Sequence, residues 1–468
     1  MCYPRRLRVP LLFIVAVAGL TGILMMTETK SWACDVAVVS ARVSTNGRPF
    51  IWKNYDCSGR WQQQIKYFSP KNPGPGGYLM LYHNDSWMQR INGSPMVPQA
   101  GVNEAGFAMA LSSVYEDFNP AHELGNFNTD LMQHAVEECT TLEDFEALVK
   151  TWPTKKEHIN HAISGNFVAI DAQGGAALYE MFTGYTTYGL MPIMYRKYDA
   201  NTGRVTDHNG TQIQAAQSSF IGFVNRTNTH FWLPNNPGGE RYKRGLELLT
   251  GLANTGALSP ENMMHLVSRD ITGKQTRTYS QSNYNTTYCI SRSATRSGTV
   301  VEGVPDGGDP RLTTFWCALG EPSISVFVPY FASAHGVSPY AYADAMTITG
   351  EYLDRNDTCL LNMAEDYRET YGRLIYRSNR GNTIYGPYNN YINKLELAKV
   401  QAWTFEIENI LWSNTKSYLN WLEDNSPDMS SNQFAQNLRG FADYCADFTY
   451  WNYTEGSSTA VPWTFPIP

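Results

Sequence analysis

Cys34 follows Ser31-Trp32-Ala33, and Ser31 and Ala33 place small residues at the −3 and −1 positions that signal peptidase reads. Cleavage there makes Cys34 the first residue of the chain. A thiol on a first residue has its own free α-amine beside it, and an amine with an unperturbed pKa of about 7.7–8 suits a general base near neutral pH. The predicted chemistry is attack of the Cys34 sulfur on an amide carbonyl, relay of the proton through the amine to the departing nitrogen, and hydrolysis of the thioester by water. It needs an anchor for the amine, a cation that favours thiolate, and donors for the oxyanion. Asp56, Lys53 and an asparagine are expected to supply them.

These residues have to be brought together by strands. Val36, Val38, Val39 and Val43 form a β-rich run ending at Asn46-Gly47, a strong two-residue hairpin signal. A return strand through Phe50, Ile51 and Trp52 then pairs positions summing to about 93, which brings Lys53 and Asp56 back toward Cys34. Further strands are expected on either side of the Asn103-Glu104-Ala105-Gly106 turn, about the Asp171 to Gly175 turn, and about Gly320-Glu321-Pro322. Helices are expected with a capping box at Thr141 and Asp144, from Glu240 to a stop at Gly251, and after Ser259-Pro260. From about Ser338 helical patterns dominate, the longest from about Tyr391 to Trp421. Strands grouped with helices in this way fit two stacked sheets covered by helices.

The N-terminus supports export. Arg5, Arg6 and Arg8 precede an apolar run from Val9 to Met26, the n-region and h-region of a secretory signal. An uncleaved membrane anchor and a lipid-modified Cys34 are the competing readings. The remainder, 43% hydrophobic and 17% charged in the whole chain, is globular. Its formal charge of −7 and its lack of a basic run exclude nucleic acid as a partner. Residues 1–33 take away Arg5, Arg6, Arg8 and Lys30 against Glu28, so the exported chain is more acidic still. Of the 8 cysteines, Cys2 leaves with the leader. Cys57, Cys139, Cys289, Cys317, Cys359 and Cys445 are expected to form three disulfides in an oxidising compartment, with Cys34 as the free thiol; the alternative is that several are simply buried. No HExxH set, CxxC pair or GxSxG elbow occurs, so neither a metal nor another cofactor is expected.

Cys34 at the cleavage point, Lys53-Asn54-Tyr55-Asp56, the Asn103 to Gly106 turn and Thr227-Asn228 together resemble the linear amide C–N hydrolases. These are cysteine N-terminal-nucleophile (Ntn) hydrolases that include choloylglycine hydrolase, penicillin V acylase, isopenicillin N acyltransferase and a cysteine dipeptidase family. The resemblance covers about Cys34 to Tyr330, and the Trp316 to Pro322 segment is most similar to the dipeptidase and acyltransferase branches. It implies an α+β fold, a four-layer αββα sandwich over residues 34–337 after a signal peptide of residues 1–33, with a helix-rich extension over 338–468. It implies hydrolysis of an N-acyl amide or small peptide by a secreted or otherwise extracytoplasmic enzyme, with Cys34, Asp56 and Asn228 catalytic. Lys53, Asn103, Ser113 and Arg296 are the implied substrate-binding positions. Lys53 stands where the family has arginine, Ser113 where bile-salt hydrolases have asparagine. Asn225 competes with Asn228, and Arg292 with Arg296. The rival to an enzyme is an exported binding protein, soluble or lipid-anchored, without catalysis.

Overall fold

The computed structural model describes residues 33–56, 63–70, 74–84, 96–114, 127–152, 163–186, 189–213, 222–230, 239–274, 283–292, 294–341, 360 and 391–455. The leader segment, Cys57 and Cys359 lie outside them. In chain order the strands are β1 (Ala33–Val39), β2 (Phe50–Asp56), β3 (Gln63–Phe68), β4 (Tyr78–Asn84), β5 (Met96–Asn103), β6 (Ala108–Ser113), β7 (Ser164–Ile170), β8 (Ala176–Thr186), β9 (Gly189–Asp199) and β10 (Val205–Asp207). They continue with β11 (Phe223–Arg226), β12 (Asn283–Asn285), β13 (Thr295–Glu302), β14 (Thr314–Leu319), β15 (Val328–Tyr330) and β16 (Tyr391–Asn393). The longer helices are α1 (Asn128–Glu138), α2 (Leu142–Thr151), α3 (Glu240–Asn254), α4 (Lys394–Asn425) and α5 (Ser431–Glu455). Two antiparallel sheets dominate. One has the order β11-β1-β2-β13-β14-β15 and the other β10-β9-β8-β7-β6-β5-β4-β3.

Alternation along the eight-stranded sheet assigns its two faces. Leu79, Leu81, Ala108, Ala110, Val168 and Leu178 join one core with Val36, Val38 and Ile51 of the first sheet. The residues between them, Met80, Met109, Leu111, Phe167 and Tyr179, join a second core with α1 and α2, as a period of two requires. Strand β1 lacks alternation because Val36, Ala37, Val38 and Val39 are all buried. Leu249 of α3 and Met263, Met264 and Val267, in a π-helical turn, belong to the first core. The Thr141–Asp144 capping box opens α2 as expected. Helix α3 passes Gly251 and ends at Asn254; the cost of an interior glycine, about 1 kcal/mol, is outweighed by burial of the helix face carrying Leu249.

The β1–β2 hairpin is not closed by a two-residue turn. Val39 pairs with Phe50, so paired positions sum to 89 rather than 93 and the connection spans residues 40–49. The physical reason lies in that loop: Ser40 donates its N–H to Gly222, and the Val43 and Ser44 N–H groups fold back onto the Ser40 carbonyl. Gly47 keeps the left-handed conformation, φ 69°, but closes a local turn on Ser44.

Helices α4 and α5 share the first core, since Ile407, Leu411, Tyr418, Leu438 and Phe441 cluster with Trp316 and Phe331. A buried clasp fixes α4. Arg269 donates Nη1 and Nη2 to the two carboxylate oxygens of Glu408, at 2.8 and 2.9 Å, while Glu408 also accepts from the Phe327 N–H and meets His265. Against the upward push of burial, Arg269 and His265 hold the Glu408 carboxyl down at about 2. The expectation of three disulfides fails: Cys289, Cys317 and Cys445 are free, buried thiols and no disulfide forms among the described cysteines. Cys317 and Cys445 instead behave as small apolar residues packed in the core.

Candidate active site

Residues directly opposite each other in an antiparallel ladder project to the same side. Cys34 faces Tyr55 and Val36 faces Lys53, so Cys34, Tyr55 and Lys53 share one side of the sheet. Asp35 faces Asn54 and Ala33 faces Asp56 on the other. Cys34 is 4% exposed. The Lys53 ammonium, on the diagonal from Cys34, and the Asp56 main-chain N–H both favour charge on the sulfur. Burial pushes the Cys34 thiol up from its usual range, with Lys53 opposing that rise. Burial also pulls Lys53 down, against the attraction of Cys34 and Asp56. Both shifts report one dry environment that disfavours a standing thiolate. Such a thiol needs a base that takes its proton as the new bond forms.

The nitrogen of Cys34 donates to Oδ1 of Asn228 at 2.7 Å. Ala33 is still attached, so this is a peptide N–H standing where the α-amine lies once the bond is cut. Asn228 is held in turn: its Nδ2 donates to the Ser113 carbonyl at 2.6 Å, and Nη2 of Arg241 donates to its Oδ1 at 3.2 Å. Asn225 does not compete, because its amide donates to the Tyr242 carbonyl.

The carboxylate of Asp56 is engaged otherwise than expected. It accepts from Nη1 of Arg241 at 2.5 Å, Nε of Arg292 at 2.7 Å and Oγ1 of Thr295 at 2.6 Å. The group expected to anchor the Cys34 nitrogen is thus committed to two guanidiniums and a hydroxyl, and Asn228 holds that nitrogen. Arg241 also donates to the Cys34 carbonyl at 3.2 Å and lies 3.4 Å from Asp35. A cation in the first turn of α3 opposes the helix dipole, and these carboxylates compensate. Asp35 is buried; desolvation pushes its carboxyl up to about 7, with Arg241 opposing and Asp56 reinforcing that rise.

Three implied positions are engaged away from the Cys34 sulfur or reach it indirectly. Asn103 donates both Nδ2 hydrogens to the carbonyls of Val136 and Cys139 and accepts from the Phe107 N–H. It finishes α1 at the turn end of β6, whereas Ser113 lies at the other end, roughly 17 Å away at about 3.3 Å per residue. Ser113 reaches the site through its carbonyl; its hydroxyl accepts from Asn128. Arg296 is buried and is the extra residue of a bulge between Thr295 and Ser297, which face Asp56 and Tyr55. Sequence reasoning missed Arg241 and Thr295. Thr295 follows only once β13 is known to pair with β2, and Arg241 has no local signal beyond its place at a helix start. Among the described residues no group of His, Cys, Asp and Glu is arranged to hold a metal ion, and no helix is long and apolar enough to cross a membrane.

No family model matches this sequence, and no curated protein matches it. Solved structures similar to it include a mutant of the conjugated bile acid hydrolase from Clostridium perfringens, 12% identical over 61% of this chain and 89% of that one, with a TM-score of 0.31. A variant of the same hydrolase is 11% identical over 61% and 89%, at 0.32. The Caenorhabditis elegans ortholog of N-acylethanolamine-hydrolyzing acid amidase is 11% identical over 59% of this chain and 93% of that one, at 0.31.

Proposed function

We propose that the chain from Cys34 onward is an exported linear amide C–N hydrolase of the Ntn type, an αββα sandwich acting on an N-acyl amide or small peptide. The observation that carries the reading is the Cys34 nitrogen held on Asn228 while Lys53 stands on the diagonal from the same residue, its charge and the Asp56 N–H both favouring thiolate. Once the Ala33–Cys34 bond is cut, that nitrogen is an amine. It takes the thiol proton as sulfur bonds to the substrate carbonyl carbon, and the carbonyl π electrons move to oxygen. The hydrogen on Asn228 Nδ2 that is not given to Ser113 serves as a donor for that oxyanion. Collapse breaks the C–N bond, the leaving nitrogen takes the proton from the ammonium, and a thioester remains on Cys34. Water, deprotonated by the same amine, releases the acid and restores the thiol. Lys53 favours developing charge on sulfur. Arg241 ties together the Cys34 carbonyl, Asn228 and Asp56, so that nucleophile and base keep one geometry.

The test is direct observation of the acyl-enzyme. Mature protein mixed with a panel of amides and quenched in acid is expected to gain one acyl mass on the Cys34 peptide. Cys34→Ser is expected to retain its fold and lose at least about a hundredfold in turnover, as removal of an activated nucleophile does. Turnover by the serine variant within a few-fold of the parent would refute the role of the thiol.

A further inference from the structure

Lys53 is unusual in where its charge is spent. It is 1% exposed and reaches from the first sheet into the second, donating Nζ to Oε1 of Gln99 at 2.8 Å and to the Leu111 carbonyl at 2.6 Å. An ammonium has three donors, and the third is left on the side of the sheet that Lys53 shares with Cys34, whose thiol and Lys53 attract each other. The direction of that third N–H is set by the other two, so whatever fixes Gln99 fixes the cation on the nucleophile.

Gln99 is fixed by three features, one of them a hydrogen bond from its Nε2 to the Val97 carbonyl at 3.3 Å. Leu81 pairs with Ala100 and Tyr82 with Pro98, so Gln99 is the extra residue of a bulge in β5; a bulge re-aims a side chain. The other end of its amide meets His83: Nε2 of Gln99 lies 2.9 Å from Nδ1 of His83, and Nε2 of His83 lies 3.2 Å from the Tyr55 hydroxyl. The His83 ring is stacked on Tyr55, the residue facing Cys34, with centroids 4.9 Å apart. An amide NH₂ is only a donor, so Nδ1 of His83 has to accept and the imidazole proton sits on Nε2. Burial, and then Lys53, lower the His83 pKa well below its usual value, which agrees with a neutral ring. A ring carrying a proton on Nδ1 would demand the amide oxygen, turn the Gln99 NH₂ toward the ammonium and displace Lys53 from its acceptor.

We infer that Gln99 and His83 are positioning residues for the nucleophile: the Nε2–H tautomer of His83 orients the Gln99 amide, and Gln99 with the Leu111 carbonyl aims the Lys53 ammonium at the Cys34 sulfur. The inference rests on the proposed role of Cys34 and adds the device that holds its cation. Among the described residues, the charged and titratable groups acting on Lys53 and Cys34 include Cys34 and Asp56 from the β1–β2 hairpin and, beyond Cys34, Arg241 from α3.

Alkylation of Cys34 by iodoacetamide, followed across pH by peptide mass spectrometry of the mature protein, reads the thiol without any substrate. Gln99→Leu and His83→Phe are each expected to slow alkylation at pH 7 about tenfold, a shift of about one unit in the thiol midpoint. His83→Gln, whose amide reproduces one acceptor and one donor without charge, is expected to restore the parent profile. A role in stability alone would lower the melting temperature and leave the profile unmoved. Parent-like profiles in Gln99→Leu and His83→Phe would overturn the inference, as would a His83→Gln variant no better than His83→Phe. The parent protein supplies a check that needs no variant: ¹H–¹⁵N correlations of His83 should show Nε2 protonated and Nδ1 bare from pH 5 to 8, and a proton on Nδ1 would contradict it. Absence of amide turnover in a parent whose thiol responds as described would count against the hydrolase reading alone.

Discussion

At the scale of single residues, the site is built around charges that burial makes costly. Asp35 is the clearest case, with neither carboxylate oxygen hydrogen-bonded and its carboxyl pushed up to about 7 by desolvation. In the unfolded chain the same group loses its proton near pH 4. Between those values the native state holds the extra proton, so stability falls as pH rises through the window and the loss is complete above about 7. Replacing Asp35 by Asn is expected to remove that fall and to stabilise the protein at pH 8 by roughly 1–4 kcal/mol. Denaturant unfolding of both proteins at pH 4 and pH 8 checks this, and parallel pH dependences would contradict it. What the sequence disclosed at this scale follows from chain proximity. Cys34, Lys53 and Asp56 were legible because one hairpin carries all three, and Asn228 because of its neighbouring Thr227. Gln99, His83, Arg241 and Thr295 come from four other elements, and nothing local to them marks the partner each will meet. The partners of Asn103 were not legible, because an asparagine in a turn has the same appearance whether its amide finishes a helix, as here, or meets a substrate.

At the scale of elements, the expected strands and helices formed largely where periodicity and caps placed them, and register was the weak point. A pairing sum of 89 instead of 93 came from a loop whose hydrogen bonds run to Gly222, a residue too distant to be read locally. The C-terminal helices show the opposite balance. Their existence was plain from apolar spacing, and they pack on the first core. Glu408 of α4 is joined to Arg269, whose neighbour Ser268 donates Oγ to Oδ1 of Asn54 and accepts from the Asn54 amide on β2. Glu408→Gln leaves the Arg269 guanidinium buried without its counter-charge, and breaking such a pair costs about 3–5 kcal/mol. The midpoint of guanidinium unfolding should fall accordingly. A midpoint unchanged within error would show the clasp to be dispensable.

At the scale of the whole molecule, two sheets and the helices that pack on them bury Cys34 so that its nitrogen meets Asn228 and its carbonyl Arg241, while Lys53 stands on the diagonal across the hairpin. The covalent state of that one nitrogen is therefore decisive. As a peptide N–H its lone pair is delocalised into the carbonyl and cannot take the thiol proton; as an amine it can. Two chains differing only there provide the measurement, one beginning at Cys34 and one carrying Met-Ala before it, both verified by intact mass and by identical unfolding curves. The free chain is expected to hydrolyse its amide substrate, and the capped chain to do so at least about a hundredfold more slowly. Equal rates from the two would contradict the amine as base and with it the central claim.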